Sequence, residues 1–180
     1  LPGRRAGVAQ IMLNDIDDAV AEIKWAKSAG LLGGILLPGV PPGSHLPGLW
    51  SPVYEPIWAT CAELGVLVHH HAGGGIPEYG EDDLGRTMLH TEVGWFAYRS
   101  LWHLTYAGVF ERYPELRFIL TETGAGWVPG VLASMDMTTD RYRLAGSSAN
   151  FFGGRTAGQL PLSPSEYFAR NVYLGASFLH

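Results

Sequence analysis

Five short apolar runs constrain this chain more than any other feature of its sequence. They lie near residues 7–13, 34–37, 66–70, 116–121 and 171–175. Segments with apolar residues at helical spacing separate these runs, and no two-residue hairpin turn joins any two of them. Strands that are connected through helices pair in parallel by right-handed crossovers. The sequence therefore predicts an α/β fold, and periodicity alone leaves a doubly wound sheet and an eight-strand barrel both open.

Local signals place several helix boundaries between the predicted strands. Asp15 is positioned to cap a first helix, and Ser51–Pro52 has the pattern of a helix start. Gly65 is expected to end that second helix, and Ser163–Glu166 has the spacing of a capping box. A long polar loop is predicted to run through Gly85, and the apolar stripe of the next helix begins only at Val93 and runs to about Phe110.

Composition excludes several classes of function. The chain has 180 residues and a net charge of -5, with 12 Lys and Arg against 17 Asp and Glu and no basic stripe, so a nucleic-acid partner is not expected. No apolar run approaches the roughly 20 residues that cross a bilayer. Cys61 is the only cysteine, and no apolar segment follows Leu1–Arg5, so we expect no export signal and a cytoplasmic protein.

The third predicted strand ends in three histidines, His69, His70 and His71, followed directly by Ala72–Gly75. The carboxyl ends of parallel strands are where α/β proteins bind ligands. Alternation along a strand places His69 and His71 on one face and His70 on the other. Two imidazoles on one face are typical ligands of zinc, manganese or iron. The alternative is that these histidines only pack and form hydrogen bonds.

A carboxylate, Glu122, follows the fourth predicted strand in the segment Thr121–Trp127. Beside a metal site, this side chain is suited to ligate the ion, orient bound water or transfer a proton. The alternative is that Glu122 accepts backbone N–H groups of the following turn and only stabilises the loop.

The remaining chemistry-bearing residues favour structural roles. His103 is expected to be an ordinary surface or hydrogen-bonded core histidine, and Trp50, Trp58, Trp95 and Trp127 are more typical of a core than of a substrate cage. The charged residues around Pro114 are expected to form a solvated helix end and turn: Glu111, Arg112, Glu115 and Arg117.

Several phrases of the sequence match a known family in order and spacing. They are Pro52–Trp58, Ala62–Gly74, Gly108–Phe118, Glu122–Pro129 and Pro164–Phe168. The chain resembles the amidohydrolase-related family that includes aminocarboxymuconate semialdehyde decarboxylase and the aromatic-acid decarboxylases. The resemblance extends from about Arg5 to Val172, and the phrase around Pro114 is its most specific part.

The resemblance implies an incomplete TIM-type (β/α)8 barrel, with this chain supplying strands three to seven as a single domain over residues 1–180 that is truncated at both ends. The family places metal ligands on its first, fifth and eighth strands, and His71 is the counterpart of the fifth-strand histidine. His69 is a second metal candidate on the evidence of strand alternation alone. Glu122 occupies the position of the sixth-strand histidine that transfers protons in the decarboxylases, and Trp127 is a candidate for contacting substrate.

These observations lead to one functional expectation and one alternative. We expect a metal-dependent hydrolase or non-oxidative decarboxylase that acts on a small aromatic or cyclic carboxylic acid, or a related carbonyl compound, with one divalent ion, zinc or alternatively manganese. The full-length parent is expected to be a homo-oligomer without nucleic-acid or membrane partners. The alternative is a non-catalytic α/β binding module or an inactive barrel fragment.

Overall fold

A computed structural model describes residues 4–31, 33–40, 43–71, 75–145 and 155–175. These residues form a parallel sheet in the order β1 (Ala9–Gln10), β2 (Ile35–Leu37), β3 (Val68–His71), β4 (Phe118–Thr121) and β5 (Val172–Gly175). The helices are α1 (Ile16–Ser28), α2 (Glu55–Leu64), α3 (Asp83–Tyr106), α4 (Val109–Arg112), α5 (Val128–Ala145), α6 (Arg155–Gln159) and α7 (Pro164–Asn171). The predicted α/β class is confirmed.

Strand order decides between the two architectures that periodicity left open. Each strand pairs with the one that follows it in the chain, so the sheet grows in a single direction. A doubly wound sheet reverses its order at a switch point, whereas consecutive order is typical of a barrel. The described strands therefore form part of a barrel wall.

The sheet has two faces that differ in their surroundings. On the helix-covered face lie side chains that are almost completely buried: Ile11, Ile35, Leu37, Val68, His70, Phe118 and Leu120. The opposite face, here called the open face, carries Leu36, His69, His71, Ile119 and Thr121, which are all half-buried. The core therefore lies between the sheet and its helices.

The predicted helix boundaries agree with the structure where a capping residue marks them. The Asp15 carboxylate accepts the N–H groups of Asp17 and Asp18 ahead of α1, and Gly65 ends α2 in the left-handed conformation. The predicted start at Ser51–Pro52 is a short 3-10 turn over Pro52–Tyr54 that continues into α2. The capping box of Ser163 and Glu166 forms at the start of α7. These four predictions are confirmed.

Several boundaries differ from prediction, including that of the helix expected to run to about Phe110, which ends at Tyr106 as α3. The first strand was expected over residues 7–13 but spans Ala9–Gln10, although the Ile11 N–H still donates to the Leu36 carbonyl at 3.0 Å. The loop expected through Gly85 ends at Asp82, whose carboxylate caps α3, and the helix begins at Asp83, ten residues before Val93. This first part of α3 is largely solvent-exposed, with Leu84 exposed, so it lacks the apolar stripe by which sequence identifies a helix. Of the glycine run after His71, Gly73 and Gly74 lie outside the described residues.

Gly34 allows β2 and β3 to approach each other just before the site. Its backbone has φ of +92°, and a Cβ atom there would lie 2.2 Å from the Leu67 carbonyl oxygen. Any other residue would push the two strands apart. In the described part of the chain, no helix is long and apolar enough to cross a membrane.

Candidate active site

The three consecutive histidines of β3 have different environments, because successive side chains of a strand point to opposite faces. His70 is 3% exposed on the helix-covered face, and its Nδ1 donates to the Ala97 carbonyl of α3 at 3.0 Å. Desolvation by burial lowers the pKa of His70 to about 4. This histidine is therefore a neutral core residue that connects β3 to α3.

His69 lies on the open face, where both of its ring nitrogens have neighbours. Its Nε2 lies 2.8 Å from the Gly33 carbonyl oxygen, which only accepts, so Nε2 carries the proton. Its Nδ1 lies 3.4 Å from the Thr121 hydroxyl. His69, the second metal candidate, thus connects β3 to the neighbouring segments on either side.

His71 and Glu122 meet where β3 and β4 end. The His71 Nε2 and Glu122 Oε2 atoms lie 2.9 Å apart, and the two side chains are 42% and 39% exposed. His71 pairs in register with Thr121, so the residue after Thr121 falls beside it. The structure brings together the two residues that the sequence ranked first for metal binding and proton transfer.

The backbone of Glu122 helps to direct its carboxylate. Glu122 is the only non-glycine residue with positive φ in the described ranges, at 62°, and its N–H donates to the Gly175 carbonyl of β5 at 3.1 Å. A left-handed conformation is strained for a residue with a Cβ atom, and such strain often occurs at functional sites.

Trp127 closes the turn that follows Glu122. Its Nε1 donates to the Thr123 and Gly124 carbonyls at 3.0 and 3.1 Å, and its ring stacks on Tyr98 with centroids 4.3 Å apart. These contacts stabilise the turn, and substrate binding by Trp127 stays a prediction.

The phrase around Pro114 has a structural role. The Arg112 guanidinium donates to both Glu55 carboxylate oxygens at 2.6 and 2.8 Å, and the Tyr113 hydroxyl donates to Oε1 at 2.9 Å. The Tyr167 hydroxyl donates to the Glu111 carboxylate at 2.8 Å. Glu111 and Arg112 are exposed at the end of α4, as expected of a solvated helix end, and each also binds a side chain of another helix.

A family model described as amidohydrolase matches residues 1–153. The chain belongs to the amidohydrolase family. A comparison with curated protein sequences finds no match. The resemblance drawn from the sequence phrases is thus confirmed at the level of the family.

Solved structures show the fold of this amidohydrolase chain. An amidohydrolase from Mycobacterium avium subsp. paratuberculosis is 22% identical with a TM-score of 0.72, over 95% of this chain and 42% of that protein. The 5-carboxyvanillate decarboxylase of Sphingomonas paucimobilis is 21% identical with a TM-score of 0.66, over 94% and 47%. A dihydroxybenzoic acid decarboxylase from Polaromonas, solved with bound manganese and 2-nitroresorcinol, is 22% identical with a TM-score of 0.63, over 94% and 49%. The chain spans less than half the length of each of these proteins.

The donor chemistry of the site is compatible with a divalent ion, but the ligand set is partial. Imidazole nitrogen and carboxylate oxygen both suit zinc and manganese, and His71 and Glu122 place one of each at hydrogen-bond distance. Within the ranges that the structure describes, no group of three His, Cys, Asp or Glu side chains is arranged to hold an ion. This part of the amidohydrolase therefore offers His71 as a ligand, with Glu122 beside it.

His103 is half-buried on α3, where its ring contacts Trp50 edge-on. Its Nδ1 is buried and has no hydrogen-bond partner among the described residues. Trp50 and Trp95, expected in the core, are 54% and 44% exposed, whereas Trp58 is buried as expected. These environments depend on contacts between distant helices, and no local spacing in the sequence signals them.

Proposed function

We propose that this chain is the central part of a metal-dependent amidohydrolase-family enzyme that hydrolyses or decarboxylates a small carboxylic acid. The contact between His71 Nε2 and Glu122 Oε2 carries the proposal. It lies at the carboxyl ends of two neighbouring parallel strands, which is where barrel enzymes place their catalytic residues. Family membership supports this interpretation of the contact.

In this proposal, His71 holds the divalent ion together with ligands from elsewhere in the enzyme. The ion, when bound, polarises a carbonyl or carboxylate group or lowers the pKa of a bound water. Glu122 transfers the proton. In hydrolysis, its carboxylate removes a proton from the attacking water and returns that proton to the leaving group. In decarboxylation, its protonated form donates a proton to the carbon from which carbon dioxide departs.

A planar aromatic acid is the proposed substrate class. The decarboxylases among the structural neighbours act on carboxyvanillate and dihydroxybenzoic acid. Trp127, stacked on Tyr98 just after Glu122, supplies an aromatic surface near the proposed proton donor. Apolar walls with a few polar groups suit such a substrate.

The proposal also covers the identity of the ion, the extent of the domain and the state of the parent enzyme. Zinc is the first choice of ion and manganese the second, and the neighbour solved with manganese makes both worth testing. We further propose that residues 1–180 form five units of a longer barrel domain, and that the parent enzyme is a cytoplasmic homo-oligomer.

The test measures metal binding and turnover separately. The full-length parent enzyme is dialysed against manganese or zinc and assayed with 2,6-dihydroxybenzoate and 5-carboxyvanillate, alongside its His71→Ala and Glu122→Gln variants. We expect His71→Ala to weaken metal binding at least about 10-fold, since it removes a ligand. Glu122→Gln should lower turnover about 10²- to 10⁴-fold with a smaller effect on metal content.

His90→Ala is the matched control, because His90 is exposed on α3 and its Nδ1 contacts the Arg86 carbonyl of its own helix. Unchanged metal content and turnover in His71→Ala would contradict the assignment. A wild-type parent enzyme that binds neither ion and turns over neither acid would instead favour the non-catalytic alternative.

A further inference from the structure

His69 is the open-face histidine that the proposed function leaves without a role. It lies two residues before His71 on the same face of β3. Its Nε2 donates to the Gly33 carbonyl at 2.8 Å, and its Nδ1 lies 3.4 Å from the Thr121 hydroxyl oxygen. In the neutral imidazole, the nitrogen without the proton is an acceptor. The Thr121 hydroxyl is therefore the donor in this second contact.

These two contacts separate His69 from the metal chemistry of its neighbour. A metal ion binds imidazole through an unprotonated nitrogen. In His69, Nε2 carries the proton that Gly33 accepts, and Nδ1 accepts the hydroxyl proton of Thr121. Because the Gly33 carbonyl belongs to the backbone just before β2, it fixes both the tautomer and the orientation of the ring. His69 thus presents a fixed acceptor to β4.

Thr121 directly precedes the strained residue of the candidate active site. Glu122 has φ of 62°, and strained backbone persists only where surrounding contacts hold it. The Glu122 N–H donates to the Gly175 carbonyl at 3.1 Å. Thr121 itself pairs in register with His71 on one side and with Gly175 on the other. Its side chain is therefore the last anchor of β4 before the chain turns and brings the Glu122 carboxylate to His71.

We propose that His69 is a positioning residue of the active site, which through the Thr121 hydroxyl holds the end of β4 so that Glu122 stays on His71. The consequence for turnover rests on the proposed function, because that function makes Glu122 the proton-transfer group. The geometric part does not depend on the reaction. Small displacements of a catalytic group lower turnover, so loss of the anchor acts on Glu122 and leaves the ion in place.

The first test measures hydrogen exchange of the Glu122 amide by NMR in the full-length parent enzyme without added metal. Thr121→Val and His69→Phe each remove one partner of the hydrogen bond and keep a similar shape. We expect each to speed this exchange about fivefold, because the turn loses an anchor. Thr121→Ser keeps the hydroxyl and should stay within about twofold of wild type. The Ile11 amide, which donates to the Leu36 carbonyl, should keep its exchange rate in all variants and reports on the rest of the sheet.

The second test measures turnover of 2,6-dihydroxybenzoate by the manganese-loaded parent enzyme. Thr121→Val and His69→Phe should each lower kcat about 5- to 10-fold, with KM within about twofold and manganese content unchanged. The double variant should have a kcat no lower than that of the single variants, because both changes break the same hydrogen bond. Ile119→Val is the matched control. Ile119 pairs in register with His69 on the open face and has no polar side-chain atom, so kcat should stay within about twofold.

Three results would overturn the proposal. The first is unchanged exchange of the Glu122 amide in both Thr121→Val and His69→Phe. The second is a double variant whose loss of kcat equals the product of the single losses, because the two residues would then act independently. The third is loss of manganese in His69→Phe, which would make His69 a ligand of the ion. If His69→Phe fails to fold, as judged by circular dichroism, His69→Leu takes its place.

Failure of the proposed function gives a different pattern of results. Full turnover in Glu122→Gln, or no turnover in the wild-type parent enzyme, would contradict the role of Glu122 in proton transfer. Exchange of the Glu122 amide would then decide by itself whether His69 and Thr121 hold the end of β4. Faster exchange in Thr121→Val, with wild-type exchange in Thr121→Ser, supports the positioning contact in either case.

Discussion

The two faces of the sheet differ most clearly at His70 and His71, which are neighbours in the chain. His70 is buried against α3 and bound to a backbone carbonyl, whereas His71 is 42% exposed and contacts Glu122. The same residue type thus serves the core on one face and the candidate active site on the other. The pleat of a strand, and not the presence of a histidine, therefore decides which role each one takes.

The largest expected difference between the faces is in stability. Phe118→Ala removes a fully buried ring from the helix-covered face and should lower the free energy of unfolding by about 3–5 kcal/mol. Ile119→Ala, one residue later on the open face, should cost less than about 1.5 kcal/mol, because that side chain is only half-buried. Urea denaturation measures both changes. Equal losses would show that the open face is as well packed as the core.

The next expected effect is a pH dependence of the free energy of unfolding, which arises from the buried histidine of the helix-covered face. Burial lowers the pKa of His70 from 6.5 to about 4. Between these values the unfolded chain binds a proton that the folded chain does not, so stability should fall as pH falls from 6.5 to 4. The slope is at most about 1.4 kcal/mol per pH unit for each such proton. His103, with its pKa also lowered to about 4, should add a second contribution over the same pH range.

The control for this pH effect is a His70→Phe variant measured by urea denaturation at a series of pH values. For this variant, the free energy of unfolding should change less steeply with pH than for the wild-type chain. The difference corresponds to at most one bound proton, since the titrating ring is gone. A slope that His70→Phe leaves unchanged would mean that His70 titrates normally and that the core does not exclude its charged form.

The smallest effect concerns the backbone of the open-face site. Because Glu122 has φ of 62°, Glu122→Gly should be about 1 kcal/mol more stable than Glu122→Ala. The neighbouring Thr123, which lacks positive φ, is the control, and there glycine should be less stable than alanine. Thermal unfolding followed by circular dichroism measures each pair. The same ranking at both positions would show that Glu122 is not strained.

The parts of the fold that were predictable are those with local causes. Asp15, Gly65 and the Ser163–Glu166 box are encoded within a few residues, and each forms as expected. The start of α3 was missed because its first turns expose side chains such as Leu84 and carry no apolar stripe. The cap at Asp82 was present in the sequence, but a cap without a stripe does not distinguish a helix from a loop.

The candidate site was predictable where strand topology alone brings its residues together. His71 and Glu122 each follow an apolar strand, and parallel strands bring their carboxyl ends together, so the proximity of these two residues followed from topology. The contacts of His69 with Gly33 and Thr121 did not follow, because they depend on the distance between particular strands. The environment of the His103 ring beside Trp50 did not follow either, because it depends on how distant segments pack.

The sequence by itself determined the class of fold, the family, and the alternation that separates His70 from His69 and His71, because each follows from short-range pattern. Only the tertiary structure decided that the strands are wound in one direction, that Glu122 turns back onto His71, and that the Thr121 hydroxyl lies beside His69. The physical reason is the range of the interactions. Capping and strand alternation act over a few residues, whereas packing joins side chains that are far apart in the chain.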